Sequence, residues 1–90
     1  MSAGPGVDRF AQAGLVPSPW EAAPGTLFGA HTHPRAKLLT CVAGSIRFVL
    51  HPGENVIELG EGDWLELPAG QAHSAVAGPA GVRCAEAFRD

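Results

Sequence analysis

Three of the four histidines stand where they could hold a metal ion together. His31 and His33 are two residues apart, and in a β-strand this spacing places both imidazoles on one face. His73 lies near the start of another predicted strand, after a tight Pro-x-Gly turn. Neutral imidazole nitrogen is a ligand for Fe, Mn, Co, Ni, Cu and Zn. The pattern therefore indicates a three-histidine site for a divalent transition metal.

The strands that must position these histidines are short and separated by Gly and Pro. With twelve glycines and eight prolines, the composition favours an all-β chain over a helical bundle, and no segment predicts a convincing helix. Short strands at close spacing are typical of a sandwich or small barrel. We expect about seven strands, over residues 26–33, 35–42, 45–50, 56–59, 64–67, 72–77 and 82–88.

The length of 90 residues allows a single domain. Residues 1–17 are rich in Gly, Ala and Pro without a sustained period, which predicts a flexible or extended N-terminal arm, and residues 18–90 form the predicted barrel domain. So small a core gains stability from a partner subunit, so we expect a homodimer; whether the arm swaps between subunits is left open. Leu65 and Leu67 are the expected core pair, which leaves Trp64 exposed and suited to the subunit interface.

The charge and cysteine content argue against several classes of partner. A net charge of −3, with only six Lys and Arg, leaves no basic patch for a nucleic-acid backbone or an anionic membrane. Two cysteines are too few for a disulfide framework, and no apolar run is long enough for a signal peptide or a membrane helix. We therefore expect a cytoplasmic protein with free thiols.

The same residues resemble the two motifs of the cupin family. The first motif is Gly, five residues, His-x-His, three or four residues, Glu, six residues, Gly, and it aligns with Gly25, His31-Thr-His33, Lys37 and Gly44. The second is Gly, five residues, Pro-x-Gly, two residues, His, three residues, Asn, and it aligns with Gly62, Pro68-Ala-Gly70, His73 and Ala77. The resemblance implies a six-to-eight-stranded barrel (a double-stranded β-helix, or jelly roll), usually dimeric, with a metal held by histidines inside.

Lys37 departs from the family pattern, because the glutamate normally found there is a fourth metal ligand. Strand parity places Lys37 on the face that carries the histidines. A divalent ion and this ammonium would give the pocket a formal charge of about +3, which favours a small anionic ligand such as a carboxylate. Parity leaves open the alternative that the ammonium reaches solvent at the barrel rim.

The roles of two further side chains are left open by the sequence. Cys41 shares the inward face of Lys37 and is expected to be a small core hydrophobe, although it could touch the site. Glu86 shares a face with Cys84 and Phe88. An inward Glu86 could replace the missing carboxylate ligand, but we expect an outward Glu86 in a salt bridge.

These features predict a small cupin that binds a divalent transition metal (Fe, Mn, Ni, Cu or Zn) through His31, His33 and His73, with open positions for a small anionic ligand. The family includes three-histidine members, several of them iron dioxygenases. One hypothesis is therefore a dioxygenase-like enzyme in which Lys37 orients the negative end of the ligand. The alternative is a non-catalytic module that binds or senses a ligand or a metal. A further form of this alternative is a barrel that binds its ligand without a metal.

Overall fold

The computed structural model describes residues 8–89. This part of the chain contains one short helix and six strands: α1 Asp8–Gln12, β1 Ser18–Ala22, β2 Leu27–His31, β3 Ala36–His51, β4 Asn55–Gly60, β5 Trp64–Leu67 and β6 Ala72–Arg89. Within residues 8–89, no helix is long and apolar enough to cross a membrane.

Two long strands, β3 and β6, organise the fold. They pair antiparallel along most of their length, while β1 and β2 add to β6, and β4 and β5 add to β3. One layer contains β1, the second half of β6, the first half of β3 and β5. The other contains β2, the first half of β6, the second half of β3 and β4. This antiparallel arrangement is the jelly roll that the sequence predicts.

The core lies between the two layers and follows the period-2 alternation of the long strands. Its buried members are Leu39, Cys41, Ile46, Phe48, Leu59, Leu67, Ala75, Ala77, Val82 and Cys84. On each long strand the alternation breaks once in the middle, where the register between β3 and β6 shifts. These irregularities let each strand bend and contribute to both layers.

The prediction of separate strands on either side of Gly44 and of residues 78–81 is wrong. The chain continues through both places as strand, because Gly44 and Gly81 have φ angles of +77° and +81° and permit the bend. The two glycines also approach each other closely: a Cβ on Gly44 would lie 2.9 Å from the carbonyl carbon of Gly81. A further strand, β1, was not predicted.

A Gly44→Ala substitution should therefore destabilise the barrel strongly. It combines a left-handed backbone, which costs about 1–2 kcal/mol for a residue with a Cβ, with overlap that costs about 1–3 kcal/mol more. Gly25→Ala is the matched control, because Gly25 has a φ of +73° and no atom within 4 Å of the added Cβ. Urea unfolding should show a clearly larger decrease in the free energy of unfolding for Gly44→Ala than for Gly25→Ala. Equal decreases would contradict the close approach of Gly44 and Gly81.

Part of the segment expected to be a flexible or extended arm forms a short helix. Residues 1–7 lie outside the described residues, but α1 follows them, so the expectation of a chain without a helix is wrong. Gly14, with φ +73°, ends the helix, and the amide of Leu15 donates to the carbonyl of Phe10 over 2.8 Å. Five residues are too few to show a helical period in a sequence.

Phe10 anchors this segment on the outer face of the barrel. Its side chain is 1% exposed and packs against Leu38 and Ala85. Its ring lies 4.9 Å from that of Trp64, and the guanidinium of Arg9 lies 4.5 Å from the same indole. Trp64 is therefore partly covered by its own chain, which corrects the expectation that it is exposed. A subunit interface at Trp64 and the homodimer itself stay predictions.

Cys41 and Cys84 are free thiols in the core and face each other across β3 and β6. Cys41 thus lies in the core, as expected. Burial is the main cause that raises the pKa of both thiols, that of Cys84 to about 12. Both side chains are therefore held in the protonated, unreactive form at neutral pH.

We expect neither thiol of the native protein to react quickly with a maleimide at pH 7.5, and both to react in urea. Mass spectrometry over time measures the number of labels. Because the unfolded thiols ionise near pH 8.5 and the folded ones at higher pH, the contribution of the two thiols to the free energy of unfolding should be constant below that pH and fall above it. Rapid labelling of the native chain would contradict the burial of this pair.

Candidate metal centre and adjoining pocket

The three histidines come together from two strands and a loop. His31 ends β2 and lies opposite His73 of β6 in the register. His33 was expected on the same strand but lies two residues beyond its end, where its carbonyl accepts a hydrogen bond from the amide of Gly70 over 2.8 Å. Ring centroids are 4.3 Å apart for His31 and His73, 4.8 Å for His31 and His33, and 5.3 Å for His33 and His73.

Backbone carbonyls set the tautomers of two of these rings. Nδ1 of His31 lies 2.7 Å from the carbonyl oxygen of Gly29, and Nδ1 of His73 lies 2.9 Å from that of Gln71. A carbonyl only accepts, so each Nδ1 must carry the proton and donate. The Nε2 atom of each neutral ring then keeps its lone pair, which is the usual arrangement around a metal-ligating histidine.

The nitrogen atoms fit a metal ion. One potential ligand atom from each histidine lies within 4.8 Å of the others. Two nitrogens bound at about 2.1 Å to one ion are at most about 4.2 Å apart, so small rotations bring the set into range. Nε2 of His33 is buried without a hydrogen-bond partner among the described residues, and a buried polar nitrogen needs such a partner.

The electrostatics of the site favour neutral imidazoles. Burial is the largest cause that lowers the pKa of His33, and the charge of Lys37 is the next. Burial also lowers the pKa of His73, although its hydrogen bond to Gln71 and the charge of Glu86 oppose this. A neutral ring is the form that binds a metal.

Lys37 and Glu86 meet inside the barrel, which decides between the alternatives left open for Lys37 and corrects the expectation for Glu86. Lys37 is only 8% exposed and does not reach solvent at the rim. Glu86 points inward, where an outward side chain was expected, with an Oε1 atom 3.4 Å from Nζ of Lys37. The same oxygen accepts a hydrogen bond from Nε1 of Trp20 over 2.8 Å. With Glu86 present, the formal charges of a bound divalent ion, Lys37 and Glu86 would sum to about +2 instead of +3.

A pocket of about 500 Å³ adjoins this centre. Its polar lining includes His31, His73, Lys37 and Glu86. Much of the remaining lining is apolar and comes from Pro19, Trp20, Phe28, Leu39, Phe48 and Ala75.

Sequence reasoning missed the two aromatic residues that β1 and β2 add to the pocket. Trp20 and Phe28 pack edge to face, with centroids 5.6 Å apart. Trp20 lies opposite Cys84, and Phe28 opposite Ala75, both core residues of β6. Trp20 was missed because strand β1, which carries it, was not predicted. Its pairing with β6 is what brings Trp20 to the pocket.

A small antiparallel jelly roll with three converging imidazoles defines a class of barrel suited to a metal and a small ligand. Residues 20–83 match the family model described as the cupin domain, and the chain belongs to the cupin family. Among curated proteins, none matches the sequence.

Solved structures of two bacterial proteins share this fold. A variant of Bacillus subtilis oxalate decarboxylase is 26% identical with a TM-score of 0.75, covering 82% of this chain and 20% of the enzyme. Another matching structure of that enzyme, at TM-score 0.74 and the same identity and coverages, concerns its Mn(II) centres. A Streptococcus pyogenes protein of unknown function has a TM-score of 0.70 at 18% identity, covering 80% of this chain and 60% of that one. This chain thus spans about a fifth of the decarboxylase.

Glu86→Gln should destabilise the barrel by about 1–3 kcal/mol, because it leaves the buried ammonium of Lys37 without its carboxylate while a carbonyl remains for Trp20. Glu58→Gln is the control, since Glu58 pairs with Arg47 at an exposed position and should lose less than about 1 kcal/mol. Chemical unfolding measures both. A double variant, Lys37→Met with Glu86→Gln, should recover stability, and no recovery would contradict the coupling.

Proposed function

We propose that this cupin binds one divalent transition metal ion through His31, His33 and His73, and a small carboxylate in the adjoining pocket. The observation that carries the proposal is the convergence of three imidazoles. Two have Nδ1 protons directed at backbone carbonyls, and the third has a buried Nε2 with no hydrogen-bond partner within residues 8–89. Such a donor set suits Fe, Mn, Ni, Cu or Zn. A bound ion would supply a Lewis acid with positions open to a ligand.

The solved relatives support Mn(II) as the first metal to test. The oxalate decarboxylase that is 26% identical to this chain has Mn(II) centres. Its name gives oxalate as its substrate, and only the negative charge of oxalate is carried over to the ligand proposed here. Because this chain spans about a fifth of that enzyme, the decarboxylase reaction is not part of the proposal.

Lys37 is the residue that we assign to the anion. Its ammonium lines the same pocket as His31 and His73, and its attachment to Glu86 holds it there. An incoming carboxylate can share the ammonium with Glu86, since three N–H donors are available on Lys37. In this arrangement Lys37 orients the negative end of the ligand, and the hydrogen bond from Trp20 keeps Glu86 in place.

An enzyme and a binding module would share this site and differ in turnover. A dioxygenase-like enzyme loaded with iron consumes oxygen when its ligand is added. A sensing module is stabilised by the ligand and consumes none. An oxygen electrode combined with thermal unfolding separates these two forms of the proposal.

Elemental analysis of untagged protein, purified without chelators or reconstituted with Mn(II), should find about one equivalent of metal per chain. His31→Ala should lose most of it, because one of three ligands is removed from an exposed position where the fold does not depend on the side chain. His51→Ala is the control: His51 bonds to Ser74 and lies outside the cluster, so metal content should be unchanged. Absence of metal from the reconstituted wild type would refute the metal part of the proposal.

A further inference from the structure

The lining of the pocket indicates which kind of carboxylate it takes. We propose that the ligand is a monocarboxylate with an apolar body, such as an arylalkyl carboxylate, and that Trp20 and Phe28 select it over short dicarboxylates. This inference rests on the proposed function. That proposal places the carboxylate of the ligand beside the candidate metal centre, and this one states where the apolar part of the same ligand lies.

Aromatic carbon lines the pocket close to the histidines. Trp20 and Phe28 form an edge-to-face pair on β1 and β2, and both are only partly buried. Phe48 lies deeper, with its ring 6.2 Å from that of His73. Apolar surface that faces an open pocket is wetted in the free protein, and a ligand that covers it gains the free energy of removing that surface from water.

The positions of the charges suit a carboxylate at one end of the ligand only. The proposed metal ion and Lys37 lie on the histidine side of the pocket, and Lys37 is the only cationic side chain among the described residues that line it. A second carboxylate at the opposite end of an extended ligand would meet aromatic side chains and the carboxylate of Glu21 instead of a cation. Removing such a carboxylate from water without a partner is costly.

The size of the pocket points in the same direction. Its volume of about 500 Å³ lies in the range of small-molecule sites, roughly 300–1,000 Å³. A two- to four-carbon dicarboxylate would leave the apolar walls in contact with water. A ring joined to a carboxylate by one or two methylenes can place its charge at Lys37 and its body against Trp20 and Phe28.

Isothermal titration of the metal-loaded wild type with phenylacetate, acetate, succinate and 2-phenylethanol tests the inference. Phenylacetate should bind at least about tenfold more tightly than acetate, which has the same charge without the ring, and than succinate. Phenylacetate should also bind more tightly than 2-phenylethanol, which has the ring without the charge. Elemental analysis after each titration verifies that the metal stays bound.

Two neighbouring substitutions locate the effect. Phe28→Ala should lose most of the advantage of phenylacetate over acetate, whereas Leu27→Ala should keep it, because Leu27 is 79% exposed and does not line the pocket. Equal affinities of phenylacetate and acetate, or an unchanged advantage in Phe28→Ala, would overturn the inference and leave the proposed function standing. Failure of all three acids to bind the metal-loaded protein would overturn both.

Discussion

The pairing of β3 with β6 is the constraint on which the rest of the structure depends. Both strands belong to both layers, so their pairing decides which side chains meet inside the barrel. It places Leu50 opposite His73 in one layer and Leu39 opposite Glu86 in the other. The bends at Gly44 and Gly81 let the same two strands serve both layers. The core and the site are therefore formed by one pair of strands, and a change in the bend would affect both.

Charge balance explains how a lysine is accommodated where related motifs carry a glutamate. An ammonium that is 8% exposed and close to a cluster of three histidines is unfavourable unless a carboxylate accompanies it. Glu86 supplies that carboxylate from β6, and Trp20 of β1 holds it with a hydrogen bond. The carboxylate that the motif normally places on β3 is thus replaced by one on the neighbouring strand, β6. There it contacts the lysine, and it lies outside the group of potential metal ligands.

The parts of this architecture that the sequence could predict are those encoded by local spacing. The alternation of β3 was enough to place Lys37 and Cys41 inward. The spacing of His31 and His33, together with the resemblance to the two cupin motifs, was enough to predict that His73 joins them. The direction of Glu86 was not predictable, because strand parity defines two faces and only the cross-strand register identifies the inner one. Glycines such as Gly44 are equally compatible with a turn and with a bend inside a strand, so continuous strands were divided.

The histidine cluster and the aromatic wall of the pocket are divided between a central strand and two strands that pair with it on one side. His73 lies on the central strand β6, while His31 and Phe28 share β2 and Trp20 lies on β1. Both β1 and β2 pair only with β6 in the described part of the chain. A change in β2 therefore affects Phe28 and His31 together, whereas β1 carries none of the three histidines. Trp20 is thus the part of the aromatic wall that can change without displacing a ring nitrogen of the cluster.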